Sequence, residues 1–401
     1  MRHVLVLMME NHSFDNVLGM LPHQSAARRR VDGFRVDAAG RPRAATTDRR
    51  GRRVPLHHTT RPCDPQNNPN NSWANNHAAF HGGRNDRFAW CGHGAMGYWD
   101  RGDLPFLYSL AATFPVGNRY FQSCLGPTFP NRRFLFCGTS DGVVETDPST
   151  FTRPARNGTI FDRLDALGID WRVYHEGSPS PLIVPGFASP ARAPRLVPFQ
   201  RFLTDAARGA LPGFAVLDPN YDVDSQENPQ DIRLGERFVA RVVTAVMRSP
   251  AWRDVALFIT YDEGGGYYDH VPPPPAPVPD STPPIDRRFG GFDRYGFRVP
   301  CVLVSPWARR GHVSSRVQDH TSILRFVEHK WNIGALTNRD ARADPMLDWF
   351  DFRRASFAAP PKLSAPARLV GGTRTCAPGH AAASRAPGWR QLIARYGPAV
   401  P

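Results

Sequence analysis

A continuous apolar run at the start of the chain, ended at once by polar residues, constrains the fold more than any other feature. The run spans residues 4–9 and is followed by Glu10 and Asn11. An apolar run of this length between polar residues predicts a buried, parallel strand. Ser13 is placed to cap a short helix that continues to Gly19. A carboxylate and a carboxamide therefore lie where a strand ends and a helix begins, the edge at which open α/β sheets bind ligands.

The same arrangement recurs twice, which argues against the alternative that the first polar pair only completes a turn. A second apolar run, residues 256–261, ends in Asp262 and Glu263, and residues 126–132 open another predicted helix. Strands and helices alternate over the body of the chain. This pattern predicts an α/β fold with helices on both faces of a mostly parallel central sheet.

The sequence predicts how the chain is divided into a domain, an insertion and a tail. We predict a single domain over residues 1–354, with a polar insertion or cap region over residues 25–100. Within the insertion, residues 31–36 and 52–56 predict a hairpin with a glycine in its turn. An Ala/Pro/Arg-rich tail over residues 355–401 is expected to wrap the surface.

Composition says little about partners. The formal charge of +14 is carried almost entirely by arginine, with Lys330 and Lys362 the only lysines. The arginine clusters lack interleaved aromatic residues, so we expect solvated loops and no nucleic-acid partner. No apolar run approaches the roughly 18 residues of a membrane span, so no transmembrane segment is expected. The sequence leaves the oligomeric state open.

The start of the chain and its cysteines bear on the cellular compartment. The first strand begins too early to leave room for a cleavable leader, which predicts a cytoplasmic protein; export, with the leader already removed, is the alternative. The cysteines show no CxxC or CxxH spacing, so no thiolate zinc site is expected. Cys63 and Cys91 both lie in a polar, loop-rich region and are a candidate disulfide pair if the protein is exported.

The polar residues at the strand ends indicate a cation site. Glu10, Asn11, Asp262 and Glu263 supply hard oxygen donors, and His270 adds an imidazole nearby in sequence. Carboxylate and carbonyl oxygens are the ligands that divalent cations such as calcium, magnesium and manganese prefer.

Thr128 has two explanations. It follows Gly-Pro and precedes Pro130 at the start of a predicted helix, as does an ordinary N-cap threonine with a first-turn proline. Alternatively it is a nucleophile, because coordination to a metal is one of the few ways to activate a threonine hydroxyl. Asn131 and Arg132 in the same turn could then reach an anion at the helix start. A metal, an activated hydroxyl and an anion site together favour phosphoryl transfer.

Three motifs in this order resemble a known family. Residues 10–15, 128–132 and 262–271, with 319–322 beyond them, are similar to the signature motifs of the bacterial phospholipase C / acid phosphatase phosphoesterase family. The resemblance implies an alkaline-phosphatase-like α/β/α sandwich. It also implies an enzyme that hydrolyses phosphomonoesters or releases the phosphorylated headgroup of glycerophospholipids.

The resemblance further implies roles for individual residues. One divalent metal ion, calcium, magnesium or manganese, would be held by Glu10, Asn11, Thr128, Asp262 and Glu263. Thr128 would be the nucleophile that forms a phospho-enzyme, while Asn11 and Asn131 would bind phosphate.

Two positions depart from the family pattern. Asn71 and Asn228 stand in the substrate-binding region where family members usually have histidines. Histidine can carry a proton to a leaving group, whereas asparagine can only hydrogen-bond. His77, His270 and His320 are the remaining candidates for that role, and a structural role is the alternative for each. An impaired family member that binds phosphorylated ligands without efficient turnover is therefore the alternative function.

Overall fold

The apolar run that opens the sequence forms a fully buried strand, β1 (His3–Met9), in a computed structural model that describes residues 1–63, 68–369 and Arg395. Burial on both faces is what a parallel strand covered by helices requires. The other strands, in chain order, are β2 (Ala45–Thr47), β3 (Arg53–Pro55), β4 (His57–His58), β5 (Gly97–Tyr98), β6 (Val116–Gly117), β7 (Tyr120–Phe121), β8 (Trp171–His175), β9 (Leu196–Pro198), β10 (Phe214–Asp218), β11 (Val255–Tyr261), β12 (Cys301–Val304), β13 (Val313–Ser314) and β14 (Gln318–Asp319).

The first helix begins at the predicted cap. Helix α1 (Phe14–Leu18) follows Ser13, whose side chain accepts the backbone N–H of Asn16. The other helices are α2 (Leu21–Gln24), α3 (Trp73–Phe80), α4 (Pro105–Thr113), α5 (Thr128–Cys137), α6 (Ile160–Ala166), α7 (Phe199–Arg208), α8 (Ile232–Arg248), α9 (His320–Trp331) and α10 (Asn338–Ala341). None of the described helices combines the length and the apolar character needed to cross a membrane.

Eight strands form the central sheet, in the order β13-β6-β12-β11-β1-β10-β8-β9. Strand β1 runs parallel to both of its neighbours, β10 and β11, and β8 and β9 continue the parallel array. Strand β12 is antiparallel to β11 and to β6. The predicted α/β sandwich around a mostly parallel sheet is confirmed.

The register of the sheet brings the polar strand ends together. Met9 of β1 pairs with Tyr261 of β11 in the parallel ladder. Glu10 and Asp262 are the next residues, so they leave the sheet side by side. Strand β10, the other neighbour of β1, ends in the same direction at Asp218. Three acidic side chains thus collect at one edge.

The predicted hairpin between residues 31–36 and 52–56 is wrong, because two separate aspartate turns divide this part of the insertion. Asp37 and Asp48 each accept backbone N–H groups two and four residues further on. An aspartate side chain stabilises a turn in this way. Strand β3 therefore pairs with the nearer segment, β2, on the other side of the Asp48 turn.

The suggested pairing of Cys63 with Cys91 is also wrong. Cys63 is disulfide-bonded, but Cys91 is a free, buried thiol that packs in an apolar cluster. Burial raises the pKa of Cys91 to about 12, so this thiol is inert at neutral pH. Residues 355–369 of the predicted tail contain no helix or strand, and residues 370–394 and 396–401 lie outside the described part of the chain.

Candidate active site

The segments that follow β1 and β11 are joined at one edge of the sheet. Oδ1 of Asp262 accepts the backbone N–H groups of Asn11, at 3.2 Å, and of Glu263, at 2.8 Å. Gly265 packs against the same turn with φ of 63°. A Cβ at Gly265 would lie 2.0 Å from the carbonyl oxygen of Asn11, so the contact requires glycine. The polar pairs Glu10/Asn11 and Asp262/Glu263 therefore belong to one site.

The hydroxyl of Thr128 faces this site. Pro127 is the N-cap residue of α5, so Thr128 is the first helical residue and its side chain does not cap the helix. Instead Oγ1 of Thr128 donates to Oδ1 of Asn11 at 3.5 Å. The N-cap explanation for Thr128 is wrong, and the hydroxyl lies beside a predicted metal ligand.

Asn131 holds the loop that precedes Thr128. Its Oδ1 accepts the backbone N–H of Cys124 at 3.0 Å, and its Nδ2 donates to the carbonyls of Gly126 and Pro127 at 2.7 and 2.9 Å. These bonds use both ends of a fully buried amide. Asn131 thus positions the loop, and the phosphate contact that the resemblance implies stays a prediction.

Arg132 ties α5 to the ends of β1 and β11. Its Nε donates to Oδ2 of Asp262 and its Nη1 to the hydroxyl of Tyr221, both at 3.0 Å. Its Nη2 donates to the last two carbonyls of β1, at 3.3 Å each, and lies 3.6 Å from Oε1 of Glu10. The guanidinium is fully buried. It orients and partly neutralises the carboxylates, and the anion contact predicted for it stays a prediction.

The two asparagines that replace histidines are both engaged. Nδ2 of Asn71 donates to Oε1 of Glu263 at 2.5 Å, while the backbone N–H of Gly265 donates to the other oxygen at 2.7 Å. Asn228 donates to the hydroxyl of Tyr267. Asn71 therefore orients a predicted metal ligand, and Asn228 fastens its own segment to Tyr267.

Glu10, Glu227, Asp262 and Glu263, here called the carboxylate cluster, carry more negative charge than Arg132 balances. Burial and then neighbouring carboxylates raise the pKa values of Glu10 and Glu263 well above their ordinary range. Burial, followed by the charge of Asp262, raises the pKa of Glu227 to about 7. Burial also raises the pKa of Asp262, although Arg132 opposes the shift. A bound cation stabilises the charged form of buried carboxylates that are only partly neutralised.

The donor chemistry of the predicted ligands fits a hard divalent cation. Glu10, Asp262 and Glu263 offer carboxylate oxygens, Asn11 an amide oxygen and Thr128 a hydroxyl. Calcium, magnesium and manganese all take oxygen ligands of these types. The donor types of these residues therefore fit the metal that the resemblance implies.

Of the three candidate histidines, His320 contacts the cluster. Its Nε2 lies 2.7 Å from the carbonyl oxygen of Asp262 and its Nδ1 lies 3.2 Å from the hydroxyl of Tyr120. A carbonyl only accepts, so Nε2 carries the proton and Nδ1 accepts from the tyrosine. Burial lowers the pKa of His320 to about 4. His320 thus supports the backbone of Asp262 as a neutral ring.

The structure does not bring the other two histidines to the carboxylate cluster. Nδ1 of His77 lies 2.7 Å from the carbonyl of Trp73, and burial lowers the pKa of His77 to about 4. The ring nitrogens of His270 lie 2.6 Å from Asp15 and 3.0 Å from Asp32.

His270 belongs to a separate charged group, in which ligand atoms of Asp15, Asp269 and His270 lie within 4.8 Å of one another. Arg298 donates to both aspartates at 2.9 Å. Burial opposes the charged form of His270, but Asp15 outweighs it and raises the pKa of His270 to about 9. The positive charges of Arg298 and His270 therefore already balance the two aspartates. These contacts fasten the segment after β11 to α1.

Three further residues of the site were not predicted: Glu227, Asp218 and Tyr221. Oδ1 of Asp218 accepts the hydroxyl of Tyr221 at 2.7 Å and lies 4.0 Å from Arg132. The apolar run over residues 214–217 that precedes Asp218 is the same signal that identified the other strand ends. Glu227 follows no strand, so no comparable signal identifies it.

Comparisons with known proteins agree with the motifs. The chain is 35% identical over 288 residues to Non-specific phospholipase C1 of Arabidopsis thaliana, covering 66% of this chain and 52% of that protein. It is 31% identical over 419 residues to Hemolytic phospholipase C of Pseudomonas aeruginosa, covering 88% of this chain and 56% of that protein. It is 29% identical over 418 residues to Phospholipase C A of Mycobacterium tuberculosis, covering 91% of this chain and 80% of that protein. The chain spans about half the length of the first two.

Among solved structures, a protein in the alkaline phosphatase superfamily from Vibrio parahaemolyticus is similar at 12% identity and a TM-score of 0.37, over 60% of this chain and 63% of that chain. The profile of the Phosphoesterase family matches residues 1–334. The resemblance carried by the three motifs is confirmed: the chain belongs to the phosphoesterase family.

Proposed function

We propose that the protein hydrolyses phosphate esters, in the manner of a phospholipase C or a phosphatase, through Thr128 as nucleophile. The contact between the hydroxyl of Thr128 and Oδ1 of Asn11 carries this proposal. It places a potential nucleophile against the turn that holds Glu10 and Asp262. A buried threonine hydroxyl beside carboxylates that Arg132 only partly neutralises suits a metal-assisted phosphoryl transfer.

One divalent cation is part of the proposal. Glu10, Asn11, Thr128, Asp262 and Glu263 are the residues that would hold it. Such a cation activates a hydroxyl and neutralises the charge on phosphoryl oxygens. Asn71 and His320 keep Glu263 and Asp262 in place for it through the bonds described above. Calcium, magnesium and manganese are the candidates.

The reaction proceeds in two transfers. First, Oγ1 of Thr128 forms a bond to phosphorus as the ester P–O bond breaks; the hydroxyl proton of Thr128 is lost and the leaving alcohol gains one. Water then hydrolyses the phosphothreonine and frees the hydroxyl. Asn131 and Arg132 keep the start of α5 fixed against β1 and β11 during both transfers, because their polar atoms are bonded to the surrounding backbone and carboxylates.

The substrate is a phosphate ester, and the names of the relatives favour a phosphodiester such as a phospholipid headgroup. The test is hydrolysis of p-nitrophenyl phosphorylcholine and p-nitrophenyl phosphate, with and without chelator. We expect turnover that is lost with chelator and in Thr128→Ala but kept in Thr152→Ala, an exposed threonine. The ratio between the two esters distinguishes a diesterase from a monoesterase.

A second function, binding of phosphorylated ligands without efficient turnover, is favoured by one observation. Asn71 and Asn228 occupy the places of usual histidines and only donate hydrogen bonds there. If neither ester is hydrolysed while phosphorylcholine still binds, this alternative replaces the hydrolase.

The disulfide at Cys63 supports export over the cytoplasmic location expected from the start of the chain. Disulfides persist in oxidising compartments and are rare in the cytosol. Mass spectrometry of the alkylated, unreduced protein recovered from its host tests this, since a reduced Cys63 supports the cytoplasmic alternative.

A further inference from the structure

Gln122 directly follows β7 and joins two loops of the candidate active site. Its Nε2 donates to the carbonyl oxygens of Cys124 at 2.7 Å and Gly126 at 3.1 Å, in the loop that leads to Thr128. Its Oε1 accepts the backbone N–H of Gly264 at 2.8 Å, in the turn after β11. The side chain is fully buried. One amide group therefore connects the loop before the proposed nucleophile with the turn that carries two predicted metal ligands.

The backbone of Gln122 is held by the segment before β12. Its N–H donates to the carbonyl of Phe297 at 2.9 Å, and its carbonyl accepts the N–H of Gly296 at 2.8 Å. A Cβ at Gly296 would lie 2.2 Å from Cγ of Gln122 and 2.4 Å from the carbonyl oxygen of Cys124. This close approach requires glycine. Gln122 therefore lies on a fixed backbone, with its side chain packed closely against a neighbouring segment.

The other contacts near Thr128 hold different parts of the site. Asn131 bonds to the same loop from within α5, so it fixes the loop relative to its own helix. Arg132 joins α5 to Asp262, but it does so from the helical turn beyond Thr128. Gln122 connects the loop itself to the turn after β11. Without its bonds, the loop could shift against that turn while α5 and the sheet stay joined.

We propose that Gln122 is a positioning residue for the phosphoryl transfer, which sets the distance between the hydroxyl of Thr128 and the residues that would hold the cation. The inference rests on the proposed function. Catalysis that depends on the alignment of reacting atoms is sensitive to small displacements, and a shift of about 1 Å can cost about 100-fold in rate. A glutamine with a purely structural role would affect stability without such an effect on rate.

The test is steady-state hydrolysis by Gln122→Met at saturating Mn²⁺, with whichever p-nitrophenyl ester the wild type turns over faster. Methionine is close to glutamine in size but makes none of the three side-chain bonds. We expect kcat to fall about 10- to 100-fold while KM stays within about twofold of the wild type, because the buried amide bonds to backbone groups and not to the substrate.

Gln122→Asn is a second variant, which keeps a polar amide in case methionine prevents folding. Its side chain is one methylene shorter and cannot reach both loops, so kcat should fall here as well. Thermal unfolding shows that each variant folds.

Gln318→Met is the matched control. Gln318 is also buried, and its amide likewise joins two segments. Its Nε2 donates to Oδ1 of Asp344 at 3.0 Å, and its Oε1 accepts the indole N–H of Trp349 at 3.1 Å. We expect the control to lose thermal stability as Gln122→Met does but to keep the wild-type kcat.

The possible results separate the inference from the proposed function. A wild-type kcat in folded Gln122→Met or Gln122→Asn would overturn the inference and leave the proposed function intact. An equal loss of kcat in Gln318→Met would also overturn the inference, because the loss would then come from general destabilisation. A wild type that hydrolyses neither p-nitrophenyl ester would overturn the proposed function, and the inference with it.

Discussion

The hydroxyl of Thr128 donates to Oδ1 of Asn11 across 3.5 Å, although 117 positions separate the two residues. Two features of the chain produce this contact. The parallel register of β1 and β11 sets the edge at which Asn11 turns, and Arg132 draws the start of α5 onto that edge. The predictions below test the contacts that maintain this arrangement.

Arg132→Met should destabilise the protein by about 3–5 kcal/mol, because it leaves buried carboxylates without their positive partner. The loss should be smaller with saturating Mn²⁺ than in chelator, since the cation replaces the missing charge. Urea unfolding under both conditions measures this. Arg133→Met is the control, because Arg133 is equally buried but pairs with Asp141 at 2.6 Å. The stability lost in Arg133→Met should therefore be the same with and without Mn²⁺. Equal losses for Arg132→Met in the two conditions would contradict the account.

His320→Gln should lower stability by about 1–3 kcal/mol through buried polar groups left without partners. It should leave the shape of the pH–rate profile between pH 5 and 9 unchanged. The reason is that burial holds the pKa of His320 near 4, so the ring does not titrate in that range. If the rate of the variant no longer falls at one end of this pH range where the wild-type rate does, His320 is a proton donor instead.

The group around His270 should make stability depend on alkaline pH. The pKa of His270 is raised in the folded protein to about 9 from an ordinary 6.5. Its contribution is therefore fully present below pH 6.5 and is lost as the pH rises through 9. Asp15, Asp32, Asp269 and Arg298 face the ring.

Urea unfolding of the wild type and His270→Gln from pH 6 to 10 checks this expectation. The two proteins should differ by a few kcal/mol at pH 6, since one pKa unit corresponds to about 1.4 kcal/mol. The difference should shrink by pH 10. A difference independent of pH would mean that His270 is neutral in the fold.

Asn228→His should raise turnover for substrates with poor leaving groups. A histidine can protonate a leaving alcohol, and general-acid catalysis contributes about 10²–10⁴-fold where it operates. An alkyl phosphodiester should gain about tenfold or more, whereas a p-nitrophenyl ester should gain little because p-nitrophenolate leaves without protonation. If the ratio of the two rates does not change, position 228 has no part in leaving-group protonation.

The sequence predicted the strand ends because a buried parallel strand requires an uninterrupted apolar run, and such runs precede Glu10 and Asp262. Their meeting at one edge followed from the parallel sheet. Asp218 also follows an apolar run, although it was not among the predicted site residues. The hairpin of the insertion was predicted wrongly because the aspartate turns at Asp37 and Asp48 depend on side-chain bonds that an apolar pattern does not reveal.

The roles within the site were harder to predict because they depend on which way a side chain points. Asn131 and Arg132 lie in the first turn of α5, from which they can face either an incoming anion or the surrounding backbone. Both side chains are fully buried and are bonded to the surrounding backbone and carboxylates. Glu227 lies at the site only because the segment before it folds onto β1 and β11, a tertiary contact with no local pattern.

The central claim is that Thr128 receives the phosphoryl group, and its most direct test is to find that group. A turnover reaction with p-nitrophenyl phosphorylcholine and Mn²⁺ would be quenched in acid, digested and analysed by mass spectrometry. The account predicts a phosphorylcholine adduct on Thr128 in the wild type, and neither adduct nor turnover in Thr128→Ala. Full turnover without modification of Thr128, or turnover that survives in Thr128→Ala, would contradict it.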